Sequence, residues 1–309
     1  MKYKPRKVKL PNRTVIHTLD INPAGDQLVV GQDSPKNHSY LTLWSAPDLK
    51  LISELEHEKH ELLKMARFTS DGKKIAYVDS TLTPRIYDLE EKKSSPLNLK
   101  NPVVQWLAPA SKGDQLVVAG ALTQVWDASA EKVVWKLPGQ VASKNRESIP
   151  AIAALHPNGK QIAVAGVEKG AIRIYDLKQD EPVKSLQDAP DQARWISFDP
   201  HGRYLAAIEL NSHGTFVWNV RSGKQILPDV FGAEFESYWC LRFHPNGKYL
   251  ALGMLSGYVV VVRLADGEFL LDEKQHKGRV WDLVFTPDGK HLISGGDDAT
   301  LFLWELNLD

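Results

Sequence analysis

Two histidine-containing stretches are the first candidates for chemistry in this chain. The pentapeptide HPNGK occurs at His156–Lys160 and again at His244–Lys248, and HEKHE occupies His57–Glu61. Closely spaced imidazole and carboxylate groups are common zinc ligands. A glycine followed by lysine also occurs in loops that bind phosphate. Whether these stretches are sites or turns depends on the structural elements that carry them.

The known ligand and catalytic patterns fit these stretches poorly. HEKHE lacks the two-residue gap of the His-Glu-x-x-His zinc motif, and no glycine–lysine pair is followed by Ser or Thr. GMLSG at Gly253–Gly257 is not the Gly-x-Ser-x-Gly nucleophile elbow. Cys240 is the single cysteine and is predicted to be a small buried apolar group. We therefore predict no catalytic residue, no cofactor and no metal site, and hence no enzyme.

HPNGK belongs to a series of similar turns that divides the chain into repeats. The glycines that close these turns recur every 41 to 47 residues, at Gly25, Gly72, Gly113, Gly159, Gly202, Gly247 and Gly289. A fixed period of this size is typical of repeat architectures. Each turn lies between apolar, β-branched runs that are typical of antiparallel strands. His156 and His244 are therefore predicted to end a strand and enter its turn.

The third apolar run of most repeats ends on an aromatic residue followed by a polar one. These pairs are Trp44-Ser45, Tyr87-Asp88, Trp126-Asp127, Tyr175-Asp176, Trp218-Asn219 and Trp304-Glu305, whereas the sixth repeat has Val262-Arg263. From about Thr14 to its end the chain resembles the WD-repeat family, most specifically in the last repeat. The resemblance implies a β-propeller built from four-stranded blades.

In the WD-repeat family a His, a Ser or Thr, an Asp and the Trp form a hydrogen-bonded set that ties a blade together. The resemblance implies this set in the last repeat, at His276, Ser294, Asp298 and Trp304. It is broken elsewhere: Leu252 and Ser256 occupy the matching places in the sixth repeat, and Val164 does so in the fourth. Those blades are expected to rely on apolar packing.

The seven turns predict an all-β, seven-bladed β-propeller of four-stranded antiparallel blades. We expect one domain over residues 1–309, with seven repeats in residues 14–309. The last repeat has only three strands before the chain ends, and the basic segment KYKPRKVKL precedes the first. Residues 1–13 are therefore predicted to supply the outer strand of the last blade and close the ring. The alternative is a basic arm that binds nucleic acid or acidic lipid.

Charge and hydropathy restrict the class of partner. The 309 residues include 38 basic and 38 acidic side chains, and this balance argues against a dedicated nucleic-acid or membrane-surface binder. The N-terminal segment has no apolar core of the signal-peptide kind. The most apolar stretch, Leu250–Val262, is too short to span a membrane. We expect a cytoplasmic protein, with residues 31–40 and 138–150 as its longest loops.

The starts of the innermost strands are the candidate binding surface. The resemblance implies that partners dock on the face with the inter-blade loops. Counting back along the first strands predicts that one residue lies near this rim in six of the seven repeats, and that two aromatic residues adjoin it; they are His17, Lys64, Val104, Arg194, Trp239 and Trp281, with Trp195 and Tyr238. Trp, Tyr and Arg dominate the binding energy of many protein interfaces.

These observations favour a non-catalytic protein–protein interaction module, a scaffold or adaptor in a stable complex with another protein. One such module would be a bacterial accessory protein that regulates or neutralises its partner. The first alternative is a hydrolase or lyase at the channel mouth, with Asp282 and His17 as candidates. The second is a nucleic-acid reader that uses the basic N-terminal strand.

Overall fold

The computed structural model of the chain describes residues 4–10, 14–34, 38–58, 65–79, 81–99, 104–110, 113–120, 122–137, 152–168, 170–210, 214–227 and 237–308. In this part of the chain the regular structure is entirely β-strand. None of the described segments forms a helix that could cross a membrane.

The described strands form seven antiparallel sheets of four strands each. The chain begins with β1 (Arg6–Lys9). Blade 1 consists of β2 (Val15–Ile21), β3 (Gln27–Ser34), β4 (His38–Ser45) and β5 (Leu51–Glu58). Blade 2 consists of β6 (Met65–Phe68), β7 (Lys74–Val78), β8 (Pro84–Asp88) and β9 (Lys93–Pro96). Blade 3 consists of β10 (Val104–Pro109), β11 (Gln115–Gly120), β12 (Thr123–Asp127) and β13 (Lys132–Lys136).

The remaining four blades follow in chain order. Blade 4 consists of β14 (Ile152–Leu155), β15 (Gln161–Glu168), β16 (Ala171–Asp176) and β17 (Pro182–Gln187). Blade 5 consists of β18 (Ala193–Phe198), β19 (Tyr204–Glu209), β20 (Thr215–Asn219) and β21 (Gln225–Leu227). Blade 6 consists of β22 (Tyr238–Phe243), β23 (Tyr249–Met254), β24 (Tyr258–Arg263) and β25 (Phe269–Lys274). Blade 7 consists of β26 (Val280–Phe285), β27 (His291–Gly296), β28 (Thr300–Glu305) and the N-terminal strand β1.

The first strands of neighbouring blades contact one another around a closed ring, since β26 of blade 7 also contacts β2 of blade 1. The predicted seven-bladed propeller is therefore confirmed. Strand β1 pairs antiparallel with β28, and Arg6 lies opposite Leu303 while Lys9 lies opposite Thr300. The last blade thus contains strands from both ends of the chain.

Apolar packing between blades forms the core. All six residues of β23 are buried, and the tryptophans near the ends of β20 and β28, Trp218 and Trp304, are fully inaccessible to solvent. Such strands are apolar on both faces because each sheet is covered by a blade on either side. Leu252 and Val164, which replace polar members of the family's blade-tying set, are likewise fully buried.

The HPNGK stretches are turns that also join neighbouring blades. His244 Nδ1 accepts a hydrogen bond from Asn246 N at 3.2 Å, and its Nε2 donates to Gly289 O in the next blade's turn at 2.9 Å. His156 makes the same pair of contacts, with Nε2 3.1 Å from Gly202 O. Both partners are backbone groups, so only the neutral tautomer with its proton on Nε2 satisfies them. The prediction that these histidines enter turns is confirmed.

The two predicted long loops have different outcomes. Residues 31–40 were expected to be irregular, but β3 and β4 extend into this segment, with Gln32 opposite Tyr40 and Ser34 opposite His38. The expectation was therefore wrong for most of this stretch, which is a long hairpin. The sequence of this stretch is typical of a loop because Gln32, Asp33 and Ser39 are polar, although the structure buries them within paired strands. Residues 138–150 lie outside the described part of the chain.

Candidate functional site

A β-bulge occurs near the start of several innermost strands. The pairing register skips one residue in β2, β18, β22 and β26, and the skipped residues are His17, Arg194, Trp239 and Trp281. A bulge leaves one residue unpaired and redirects its side chain. All four side chains are partly exposed. The bulges therefore place four of the predicted rim residues at the same end of the ring.

These four residues and Arg279 form one continuous surface, which we call the rim layer. The Trp239 and Trp281 rings meet edge to face with centroids 5.1 Å apart, and His17 contacts Trp281 at 4.4 Å. The Arg194 guanidinium carbon lies 3.5 Å from the Trp239 centroid, and that of Arg279 lies 3.8 Å from it. The rim layer therefore crosses blades 5, 6, 7 and 1 without interruption.

Two carboxylates hold the rim layer in place. Asp297 accepts hydrogen bonds from Trp281 Nε1 at 2.6 Å and from the backbone N–H of Arg279 at 2.9 Å. Asp33 lies 3.0 Å from His17 Nε2. These contacts fix the rings in defined orientations, so the surface is preorganised and loses little entropy when it binds.

Three other predicted rim residues lie elsewhere. Trp195 is 8% exposed and Tyr238 is 3% exposed, so the expectation that they adjoin the rim surface was wrong. Val104 is also buried, and the bulge of β10 falls after it, at position 105. The physical reason is the same in each case: a residue that flanks a bulge keeps its strand pairing, and its side chain is buried instead of exposed. Lys64 lies outside the described residues.

A buried ionic cluster, centred on Asp282, joins four blades beneath the rim layer. The Asp282 carboxylate is 3.1 Å from the Arg67 guanidinium of blade 2 and 3.0 Å from that of Arg242 in blade 6. It also accepts hydrogen bonds from the backbone N–H groups of Leu19, at 3.0 Å, and Leu283, at 2.8 Å. Asp282 is 1% exposed, so the cluster's carboxylate has almost no access to solvent.

The candidate catalytic pair of Asp282 and His17 does not form a common site. Asp282 is paired with the two arginines below the rim layer. His17 instead contacts Asp33 and the ring of Trp281. General acid–base catalysis requires groups that converge on one reacting atom. The described geometry of these two residues therefore gives no support to the enzyme hypothesis.

The central channel contains a cavity of about 270 Å³ at its other end. Its lining includes Trp106 and Trp195, whose rings meet edge to face at 5.2 Å, together with Asp20, Arg67 and Arg242. Burial raises the pKa of Asp20, while burial and the charge of Arg67 lower the pKa of Arg242 despite the nearby Asp282. Trp195 thus packs in the channel rather than on the predicted binding face.

The remaining candidates contribute less to a site. His57 Nε2 lies 3.0 Å from His38 Nδ1, but the described residues contain no group of three or more metal-ligating side chains. Arg6, Lys7 and Lys9 of β1 are exposed although their strand is paired. Exposure of these side chains does not test nucleic-acid binding, so that hypothesis stays a prediction.

The last blade contains a chain of polar side chains that is buried between its strands. His276 Nδ1 is 3.0 Å from Asp298 Oδ1, and His276 Nε2 is 2.8 Å from Ser294 Oγ. Ser294 Oγ also accepts a hydrogen bond from Trp304 Nε1 at 3.0 Å. These are the four residues that the resemblance implied, and they are bonded to one another in the implied order.

Comparison with known proteins points to the same blade. The family model described as "WD domain, G-beta repeat" matches residues 267–305, which contain all four of these residues. WD repeat-containing protein 1 of Bos taurus is 22% identical over 295 residues, which is 92% of this chain and 41% of that protein. The chain is a WD-repeat β-propeller.

Other relatives match shorter parts of this WD-repeat propeller. WD repeat-containing protein 3 homolog of Dictyostelium discoideum is 28% identical over 50% of this chain and 16% of its own length. Transducin-like enhancer protein 2 of Mus musculus is 27% identical over 62% of this chain and 24% of its own length. The chain spans less than half the length of each of these relatives.

Ser294→Ala is expected to destabilise the propeller by about 1–3 kcal/mol, because it leaves Trp304 Nε1 buried without an acceptor. Chemical denaturation followed by tryptophan fluorescence measures this change. Ser95→Ala on the exposed outer strand β9 is the matched control and should leave the midpoint unchanged. Equal midpoints for the two variants would show that the polar chain contributes nothing to stability.

The pKa of Asp298 gives a prediction of how the stability of the WD-repeat propeller depends on pH. Burial alone would raise its pKa, but hydrogen bonds from His276 and from the Lys277 N–H outweigh this and lower the pKa below its usual 3.8. A carboxyl with a lowered folded-state pKa stabilises the fold above its unfolded-state pKa, and this contribution is lost as the pH falls through the folded value. Asp298→Asn should therefore flatten the acid limb of a stability–pH curve. An acid limb that Asp298→Asn leaves unchanged would contradict the lowered pKa of Asp298.

Sequence reasoning missed Arg279 and the carboxylates of Asp297 and Asp33. Arg279 precedes β26, outside the strand positions from which the rim residues were counted. Its only sequence signal is its place two residues before Trp281 in GRVW. Arg67 and Arg242 were also missed, because charged residues within apolar strands give no indication of partners in other blades.

Proposed function

We propose that this WD-repeat propeller is a non-catalytic protein-interaction module that binds a partner protein through the rim layer. The observation that carries the proposal is the rim layer itself: two indoles, two guanidiniums and an imidazole from four blades in mutual contact at one end of the ring. Side chains of these types supply most of the binding energy at many protein interfaces.

Three features of the rim layer support binding. The indoles are partly exposed and present large apolar area. Their orientation is fixed by Asp297 and by mutual ring contacts, so binding does not have to order them. The layer also rests on innermost strands of the ring, which form a rigid support. WD-repeat proteins are largely interaction modules, and this general role agrees with the geometry.

The finer role we propose is that of a scaffold or adaptor subunit in a stable complex, in the cytoplasm. A regulatory or neutralising action on the bound partner belongs to the same proposal. A rigid ring suits this role, because it can present the rim layer without changing its own conformation on binding.

Affinity purification from the native cell with Trp239→Ala beside wild type tests the proposal. A stoichiometric partner should co-purify with wild type and be lost with the variant, since truncating a central aromatic residue typically costs about 2 kcal/mol or more of binding energy. Phe269→Ala is the matched control, because Phe269 is 43% exposed on the outer strand of the same blade. It should retain the partner. A partner kept equally by both variants would place binding elsewhere and overturn the proposal.

A further inference from the structure

The guanidinium groups of Arg194 and Arg279 both lie over the indole ring of Trp239. Both guanidinium carbons lie within 3.8 Å of the Trp239 centroid, which is close enough for direct stacking. Two groups cannot occupy the same position over one face, so they cover opposite faces. The two guanidinium carbons can be no farther apart than the sum of their distances from the Trp239 centroid, 3.5 Å and 3.8 Å. Arg279 is also 4.4 Å from the Trp281 centroid and therefore contacts both indoles.

The Asp297 carboxylate beside Arg279 is already occupied. Both oxygens of Asp297 accept hydrogen bonds, one from Trp281 Nε1 and the other from the backbone N–H of Arg279. The guanidinium of Arg194 donates a long hydrogen bond to Leu210 O, at 3.4 Å. The Nε of Arg279 is shielded from solvent and has no acceptor among the described residues. The Arg279 guanidinium thus has a buried donor that the described residues leave without an acceptor.

The electrostatics of the pair agree with this imbalance. Burial, together with the charge of Arg279, lowers the pKa of Arg194 to about 10. Two cations held close together in a partly buried site repel each other, and an anion placed beside them removes this repulsion. Guanidinium groups bind carboxylates through paired, charge-assisted hydrogen bonds.

We propose that Arg194 and Arg279 form an anion-recognition pair that binds a Glu or Asp side chain of an acidic segment in the partner protein. This inference rests on the proposed function and specifies the chemistry of the partner. Trp239 keeps the two guanidiniums apart, so that a carboxylate beyond the edge of its ring can accept hydrogen bonds from both. The two indoles would then cover apolar atoms next to that carboxylate.

Titration of the full chain with a glutamate-rich peptide tests the pair, with tryptophan fluorescence and calorimetry as readouts. The peptide should bind wild type, and its affinity should fall as salt is added. Arg194→Gln and Arg279→Gln should each weaken binding by about tenfold or more, since each removes hydrogen bonds to a charged group. Arg263→Gln makes the same change in net charge at an exposed ion pair of blade 6 and should leave binding unchanged.

Three results would overturn the inference. The first is a failure of the glutamate-rich peptide to bind more tightly than a glutamine-rich one. The second is equal weakening by Arg263→Gln, which would indicate a general charge effect. The third is binding only after Glu234 and Glu236 are replaced by Gln, which would assign the pair to the chain's own acidic residues.

Failure of this inference is distinguishable from failure of the proposed function. If the native partner is lost with Trp239→Ala but retained with Arg194→Gln and Arg279→Gln, the rim layer binds a partner that is not recognised through this pair. If no partner depends on Trp239, the proposed function itself is wrong.

Discussion

Asp282→Asn is expected to lower the free energy of unfolding by about 3–5 kcal/mol, the usual cost of removing one partner from a buried ion pair. The carboxylate lies in blade 7 and is shared by Arg67 of blade 2 and Arg242 of blade 6. Without the negative charge, two guanidiniums remain close together with little access to water. The amide must also direct its NH₂ group at a backbone N–H or at an arginine, since Leu19 and Leu283 both donate to the native oxygens.

Urea denaturation measures this change against Asp266→Asn. Asp266 also binds an arginine, Arg263, but it does so on the exposed surface of blade 6. Solvent screens such a pair, so this control should unfold at the wild-type midpoint. A midpoint for Asp282→Asn that equals that of the control would show that the cluster does not hold the blades together.

Gly289→Ala is expected to destabilise the propeller by about 2–5 kcal/mol, through two separate effects. Gly289 has φ of +72°, where a side chain is strained. A Cβ would also lie 2.5 Å from His244, whose ring is confined between Phe285 and Tyr249. The substitution therefore either displaces that ring, with loss of its bond to Gly289 O, or separates the turns of blades 6 and 7.

Gly113→Ala separates these two effects. Gly113 has φ of +80°, but a Cβ there meets nothing within 4 Å. Its cost should be the conformational part alone, about 1–2 kcal/mol. In a double-mutant cycle, His244→Ala should relieve part of the cost of Gly289→Ala and none of the cost of Gly113→Ala. Additivity at both sites would contradict the proposed contact between turns.

The fold was predictable from the sequence because it depends on local signals that repeat. The Pro-x-Gly turns, the apolar runs and the terminal aromatic residues each recur in most blades. A blade whose own signals are weak can therefore be recognised from its spacing to the others. The residues of the last blade's polar chain were likewise recognisable, because His276, Ser294, Asp298 and Trp304 keep the family's types and spacing.

The candidate site was only partly predictable. Counting along the first strands identified Arg194, Trp239 and Trp281, because the bulged position recurs at the same place in successive blades. Trp195 and Tyr238 were misplaced, since a bulge reverses which neighbour faces outwards and leaves no clear mark in the sequence. The Asp282 cluster was not foreseen because its partners are distant in the chain and meet only when the ring closes.

The most direct test of the rim layer as the binding surface is photo-cross-linking in the native cell, from two positions in the full chain. A photoreactive amino acid at Lys277 lies beside the rim layer, two residues before Arg279, whereas one at Phe269 lies on the outer strand of blade 6. We expect a discrete protein adduct from position 277, none from position 269, and loss of the adduct when Trp239→Ala is added. An adduct from position 269 alone, or one from position 277 that persists with Trp239→Ala, would contradict the rim layer as the partner-binding surface.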